Sequence, residues 1–218
     1  MSESSQPERV PEPLDEALRA RILGHLAARR RTCVELSAAH QRAAAVCVTL
    51  VPGPRDEASF LLTRRPGDLS RHPGQFALPG GRLEPAETPE QAARRELGEE
   101  LGVTLEADSV LGSLDDFTTH SGFVITPVVL WGPLVRTLAP DPREVAIAYR
   151  IPLRELYGAN VPRFETVAGL DGPLISLPLV GTHIYSPTAA IVYQFREVAL
   201  EGRDVAVQHF AQPRFAWR

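Results

Sequence analysis

The chain has little of what would tie it to an oxidising compartment, a membrane or nucleic acid. Only two of its 218 residues are cysteine, Cys33 and Cys47. Neither stands in a CxxC or Cys/His spacing, which argues against a disulfide framework or a zinc site and fits a reducing compartment. The formal net charge is -4, so there is no overall basic field to hold nucleic acid, and a phosphate ligand has to be met locally. No stretch approaches the ~18–20 apolar residues of a membrane span. The opening MSESSQPERVPEPLDEAL lacks the basic start and apolar run of a secretory signal. The expectation is a soluble, cytoplasmic protein with no membrane partner. At 44% hydrophobic and 23% charged residues, the composition is that of a chain that folds around its own core.

Residues 1–12, rich in Ser, Pro and Glu, read as a tail too polar to order. Residues 13–42 read as a helical arm: Leu14, Leu18, Ile22 and Leu26 form an i, i+4 stripe, and Arg29, Arg30 and Arg31 stand where a helix dipole favours cations. That stripe can dock on its own domain or cross to a second copy as a homodimer. Residues 43–218 read as one domain. Segments 43–51 and 59–65 form a hairpin across a PGPRDE turn, and 109–117, 123–132 and 144–152 read as further strands. A short helix follows at 152–158, then a hairpin from RFETV to LISLPLVG, then a final helix begun by Ser186 and Pro187. Strands mixed with two or three helices, without regular βαβ alternation, predict an α/β/α sandwich on a mixed sheet.

Between the strands lies GRLEPAETPEQAARRELGEELGV, residues 81–103. Thr88 as N-cap, Pro89 at the first helical position and Gln91 completing a capping box start a helix, and Gly102 stops it. Glu96, Glu99 and Glu100 are spaced i, i+3 and i+4, which predicts three carboxylates on one face. Such like charges repel by ~0.2–0.5 kcal/mol per exposed pair, and a divalent cation among the oxygens reverses the sign. Oxygen ligands without His or Cys select a hard ion, Mg²⁺ or Mn²⁺. Ala93, Leu97 and Leu101 can dock the same helix on the sheet, and Arg95, one turn before Glu99, can orient it. Gly80 and Gly81 end a loop dense in Pro and Gly, so their backbone can come close to a metal or a phosphate.

These residues match the Nudix signature at every position: Gly81, Glu87, Arg95, Glu96, Leu97, Glu99, Glu100, Gly102 and Val103. The chain thus resembles the Nudix hydrolases, and the resemblance implies a Nudix-type α/β/α sandwich that hydrolyses a diphosphate linkage. It implies Glu96 and Glu100 as principal metal ligands, Glu99 as a further ligand or the base, and Glu87 as a brace acting through Arg95. The preceding segment 61–81 is similar to that of Nudix coenzyme A pyrophosphatases: Leu61, Leu62, Thr63, Arg65, Gly74, Pro79, Gly80 and Gly81 agree, whereas Pro66, Ser70 and Leu78 depart from the pattern. Ser70 replaces a cation able to meet a 3′-phosphate or the pantetheine arm, and the adjacent Arg71 and His72 are candidates to substitute for it. Segment 111–129, with Leu-Asp-Asp and Gly-Phe-x-x-Thr-Pro, is similar to the same subfamily.

The implied substrate is coenzyme A or a derivative, cleaved to 3′,5′-ADP and 4′-phosphopantetheine, with Arg65, Arg71 and Gly80 meeting the substrate. The alternatives are another nucleoside diphosphate derivative (ADP-ribose, a dinucleotide or an oxidised nucleotide) and a non-catalytic nucleotide sensor. Asp115 and Asp116 are candidates for a further ligand or base, although paired turn aspartates more often cap or face solvent. His120 and His183 read as structural. Tyr185, Phe195 and Trp131 are candidates to stack a base, but such aromatics are more often core residues.

Overall fold

The computed structural model describes residues 12–37, 40–67 and 74–213. The tail read at 1–12 lies almost wholly outside these, as do Ser70, Arg71 and His72. Helix α1 (Glu16–Ala27) is capped by Asp15, whose side chain accepts the Leu18 amide, and it buries Leu18, Ile22 and Leu26. It ends before the three arginines, which therefore do not serve its dipole.

Strands β1 (Arg42–Pro52) and β2 (Ala58–Arg64) form the expected antiparallel hairpin. Two short strands, β3 (Phe76–Ala77) and β4 (Gly80–Arg82), follow where the sequence reads as loop, and then helix α2 (Pro89–Leu101). The strand expected over 109–117 is two pieces, β5 (Val110–Ser113) and β6 (Phe117–Thr118), parted by the buried Leu114, Asp115 and Asp116. Strands β7 (Phe123–Trp131) and β8 (Ile147–Pro152) complete the main sheet, β8 starting three residues later than the sequence suggests. The turn Leu153–Tyr157 is a 3₁₀ helix. A second, three-stranded sheet comprises β9 (Arg163–Glu165), β10 (Leu174–Leu179) and β11 (Thr182–Tyr185), the last extending the anticipated hairpin. Helix α3 (Thr188–Gln194) passes into a π-helical turn, Phe195–Leu200.

The main sheet is mixed: β1 and β7 run parallel over nine register pairs, Arg42 with Phe123 through Leu50 with Trp131, and its other pairings are antiparallel. Both faces of β1 are buried, as a central strand requires. On one face α2 packs Ala92, Ala93, Leu97 and Leu101 against Ala45, Cys47, Val128 and Leu130. On the other, α1, α3 and the small sheet cover Val48, Leu50, Phe60 and Leu62. This is an α/β/α sandwich in which α2 has a face to itself. No helix among the described residues is long and apolar enough to cross a membrane.

Candidate metal centre

The ends of α2 are set locally. Thr88 Oγ1 accepts the Gln91 amide at 3.3 Å, Gln91 Oε1 accepts the Thr88 amide at 2.8 Å, and Gly102 closes the helix in a left-handed conformation with φ 66°. The apolar stripe then fixes the rotation of the helix. Glu100 is turned to the sheet and buried, while Glu99, about 100° away around the axis, is more than half exposed. Three carboxylates on one turn therefore do not converge at one point.

Glu144 takes the third place. Carboxylate oxygens of Glu96, Glu100 and Glu144 all lie within 4.8 Å of one another. In the sequence Glu144 stands only at the start of an expected strand, and nothing local marks it for a role. It arrives because the preceding segment docks on the C-terminal turn of α2: the Ala139 amide donates to the Leu101 carbonyl at 2.8 Å and the Asp141 amide to the Glu100 carbonyl at 2.9 Å. Those carbonyls have no partner within the helix, so satisfying them places Glu144 beside Glu100.

The acids strain one another. Burial, then the charges of Glu96 and Glu144, push the Glu100 carboxyl up to about 8, against the opposing pull of Arg65 and the Gly80 N–H. Burial also raises Glu96, with Arg95 opposing. Glu100 Oε2 is buried without a hydrogen-bond partner. An orphaned carboxylate oxygen among oxygen-only donors is the environment a hard divalent cation satisfies, so these residues fit such an ion.

Arg95 organises the other side of the helix. Its Nε and Nη2 donate to the two oxygens of Glu87 at 2.9 and 3.0 Å, Nη1 to Glu96 Oε1 and Glu99 Oε2 at 2.9 Å each, and Nη2 also to the Arg82 carbonyl at 3.0 Å. The fork holds the Glu87 carboxyl below its ordinary range. An open groove of about 700 Å³ on this side is walled by Glu87, Arg95 and Glu99, but not by Glu96, Glu100 or Glu144.

Both glycines are hemmed in by neighbouring groups of the protein. A Cβ on Gly81 would lie 2.2 Å from Glu96 Oε1, and one on Gly80, at φ +155°, would lie 2.2 Å from the Ala45 carbonyl. Gly81 therefore belongs to the carboxylate cradle, whereas Gly80 is a packing position against β1 whose amide faces Glu100. Arg65 follows β2 and acts on Glu100 electrostatically.

Asp115 and Asp116 neither cap a turn nor face solvent, and they stand outside the Glu96–Glu100–Glu144 group. Both are buried. Asp115 accepts from Arg29, the Thr32 amide and Gln194, and Asp116 from the Val34 amide and Thr126. Arg31 also pairs with Asp116. Together they clamp the segment after α1, which explains Arg29 and Arg31 better than a helix dipole does. Phe195 and Trp131 are core residues, His183 Nδ1 lies 3.1 Å from Ser176 Oγ, and the His120 amide donates to Gln212. Tyr185 is half-buried beside His183.

A family model for the NUDIX domain matches residues 40–169, which include the glutamate helix and Glu144. The chain belongs to the Nudix family. It is 39% identical over 118 residues to a Nudix hydrolase NudL of Yersinia enterocolitica, itself uncharacterized, a match covering 54% of this chain and 60% of the relative. It is 38% identical over 118 residues to NudL of Pectobacterium atrosepticum, with the same coverage of 54% and 60%. The chain thus spans about 60% of the length of these relatives. Among solved structures, a MutT/nudix family protein from Enterococcus faecalis is similar at 15% identity and a TM-score of 0.49, covering 80% of this chain and 66% of that one. Nudix hydrolases generally use divalent metal ions, consistent with the donor set found here.

Proposed function

We propose that this Nudix chain is a Mg²⁺- or Mn²⁺-dependent pyrophosphohydrolase of coenzyme A or its derivatives, adding water across the diphosphate to give 3′,5′-ADP and 4′-phosphopantetheine, or acyl-phosphopantetheine from a thioester. The observation that carries the hydrolytic reading is the buried Glu100 carboxylate, with an unpartnered oxygen and two further carboxylates within 4.8 Å. Glu96, Glu100 and Glu144 would hold the ion, beside the Gly81 backbone. Bound there, such an ion neutralises diphosphate charge and acidifies water near neutral pH.

The remaining roles belong to the chain's own groups. Arg65, whose charge already acts on Glu100, meets the substrate's phosphates. Arg95 holds Glu87, Glu96 and Glu99 in a fixed relation. Glu99 is exposed at the end of that fork, free to accept a proton from water or to join the ligands once it leaves Arg95. Coenzyme A is favoured by the agreement over residues 61–81 and 111–129. The departures at Pro66, Ser70 and Leu78 favour the second reading, another nucleoside diphosphate derivative; the intact acid cluster argues against a silent sensor.

Incubation of the protein with Mg²⁺ or Mn²⁺ and, separately, coenzyme A, an acyl-coenzyme A, ADP-ribose and NADH tests this, with products separated by chromatography. Phosphopantetheine and 3′,5′-ADP are expected. Cleavage of ADP-ribose or NADH with no phosphopantetheine from either coenzyme would keep the linkage chemistry and remove the substrate; no cleavage of any compound would remove both.

A further inference from the structure

Two guanidinium groups outside the carboxylate cluster share one aromatic ring: Arg42 Cζ lies 4.4 Å and Arg82 Cζ 5.3 Å from the centroid of Phe123. Strand register explains the meeting. Arg82 stands opposite Ala44 in the β4–β1 pair, and Arg42 opposite Phe123 in the β1–β7 pair. Because side chains alternate along a strand, Arg42, Ala44, Arg82 and Phe123 share one face, and the alanine leaves room for Arg82 to reach across β1. Gly81, one residue before Arg82, lies against Glu96 on the opposite face.

Both arginines are exposed, and neither pairs with a carboxylate among the described residues. Arg42 Nη2 donates to the Ser121 carbonyl at 3.3 Å, which leaves most of its five N–H donors available; the Arg82 guanidinium makes no hydrogen bond among the described residues. By contrast, Arg29, Arg95, Arg196 and Arg203 are each matched to acids. Two guanidinium groups gathered on one ring without an acid between them offer planar donor forks to an anion.

We propose that Arg42, Phe123 and Arg82 form a phosphate-monoester subsite, on the face of β4 opposite the Glu96 carboxylate, that holds the 3′-phosphate of a substrate whose diphosphate passes the β4 edge to lie at Glu96 and Glu100. The identity of that monoester rests on the coenzyme A reading; the anion subsite rests on the two arginines. Strand β4 joins the two sites, since its Arg82 carbonyl is held by Arg95 and its Gly81 faces Glu96. The arrangement selects nucleotides that carry a second phosphate on the ribose.

Calorimetry with 3′,5′-ADP and 5′-AMP in the presence of EDTA tests the subsite without turnover. Wild-type protein is expected to bind 3′,5′-ADP about tenfold or more tightly than 5′-AMP, Arg42→Ala or Arg82→Ala each to lose about tenfold in 3′,5′-ADP affinity, and the double variant to bind both ligands alike. Arg42→Lys with Arg82→Lys, which keeps the charges but not the forks, is expected to fall between. In turnover, the ratio of kcat/KM for coenzyme A to that for dephospho-coenzyme A should drop in the double variant. No preference in the wild type, or a preference that survives the double substitution, overturns the proposal. Loss of the calorimetric preference in a protein that does not cleave coenzyme A would uphold the subsite and overturn only the substrate.

Discussion

Replacing Glu100 with Gln separates the cost of the acid cluster from its use. In the metal-free protein the Glu100 carboxyl is pushed up to about 8 from an ordinary 4.5, chiefly by burial and then by Glu96 and Glu144. The folded state therefore holds a proton that the unfolded chain releases. The contribution to stability is fully present below the unfolded value and is lost as pH rises through about 8. At 1.36 kcal/mol per unit, with allowance for relaxation and water entry, the penalty above that range is roughly 2–5 kcal/mol. Glu100→Gln keeps the shape and removes the charge. Melting in EDTA at about pH 9 should place the variant about 5–15 °C above wild type, given a few degrees per kcal/mol for a chain of this size, and the gap should close towards pH 5. Mg²⁺ or Mn²⁺ should raise the wild-type melting temperature and leave the variant nearly unmoved, and the variant should not turn over. If the two proteins melt together at high pH without metal, or gain equally from it, the reasoning about this carboxylate is wrong.

Glu144→Ala is expected to weaken metal affinity by about tenfold or more while the metal-free fold remains, because the group sits on a docked loop at the surface; calorimetric titration with Mn²⁺ reads this directly. Gly81→Ala puts a methyl into the Glu96 carboxylate, so activity should fall at least a hundredfold, a loss of about 2.7 kcal/mol in transition-state binding, with a far smaller change in melting temperature. Asp115→Ala takes the acceptor from the Thr32 amide and the Gln194 side chain and leaves Arg29 only the exposed Asp204, and urea unfolding should show a loss of about 3 kcal/mol, with kcat per folded molecule close to wild type; a catalytic Asp115 would show the reverse.

The parts of this protein legible in its sequence are those whose geometry is set within a few residues. Thr88, Pro89, Gln91 and Gly102 bound α2 because caps act on adjacent amides and carbonyls. Glu87 and Arg95 could be paired in advance, since a full signature places them on one loop and the helix it enters. Alternation and turn residues identified the β1–β2 hairpin and most of the main sheet. Where local rules are weaker the sequence misleads: alternation makes one strand of β5 and β6, and position alone gives Arg29 and Arg31 to the dipole of α1, because their partners Asp115 and Asp116 stand more than 80 residues away.

By itself the sequence determined that three glutamates would share a helical turn, because 3.6 residues per turn is a property of the backbone. Tertiary structure decided which of them meet. Docking of Ala93, Leu97 and Leu101 on the sheet turned Glu100 inward and left Glu99 outside, and the demand of α2's last carbonyls for donors brought in Glu144. The meeting of Arg42 and Arg82 on Phe123 was likewise a matter of register between three strands. Contacts of that kind depend on how the chain closes on itself, which no local spacing records.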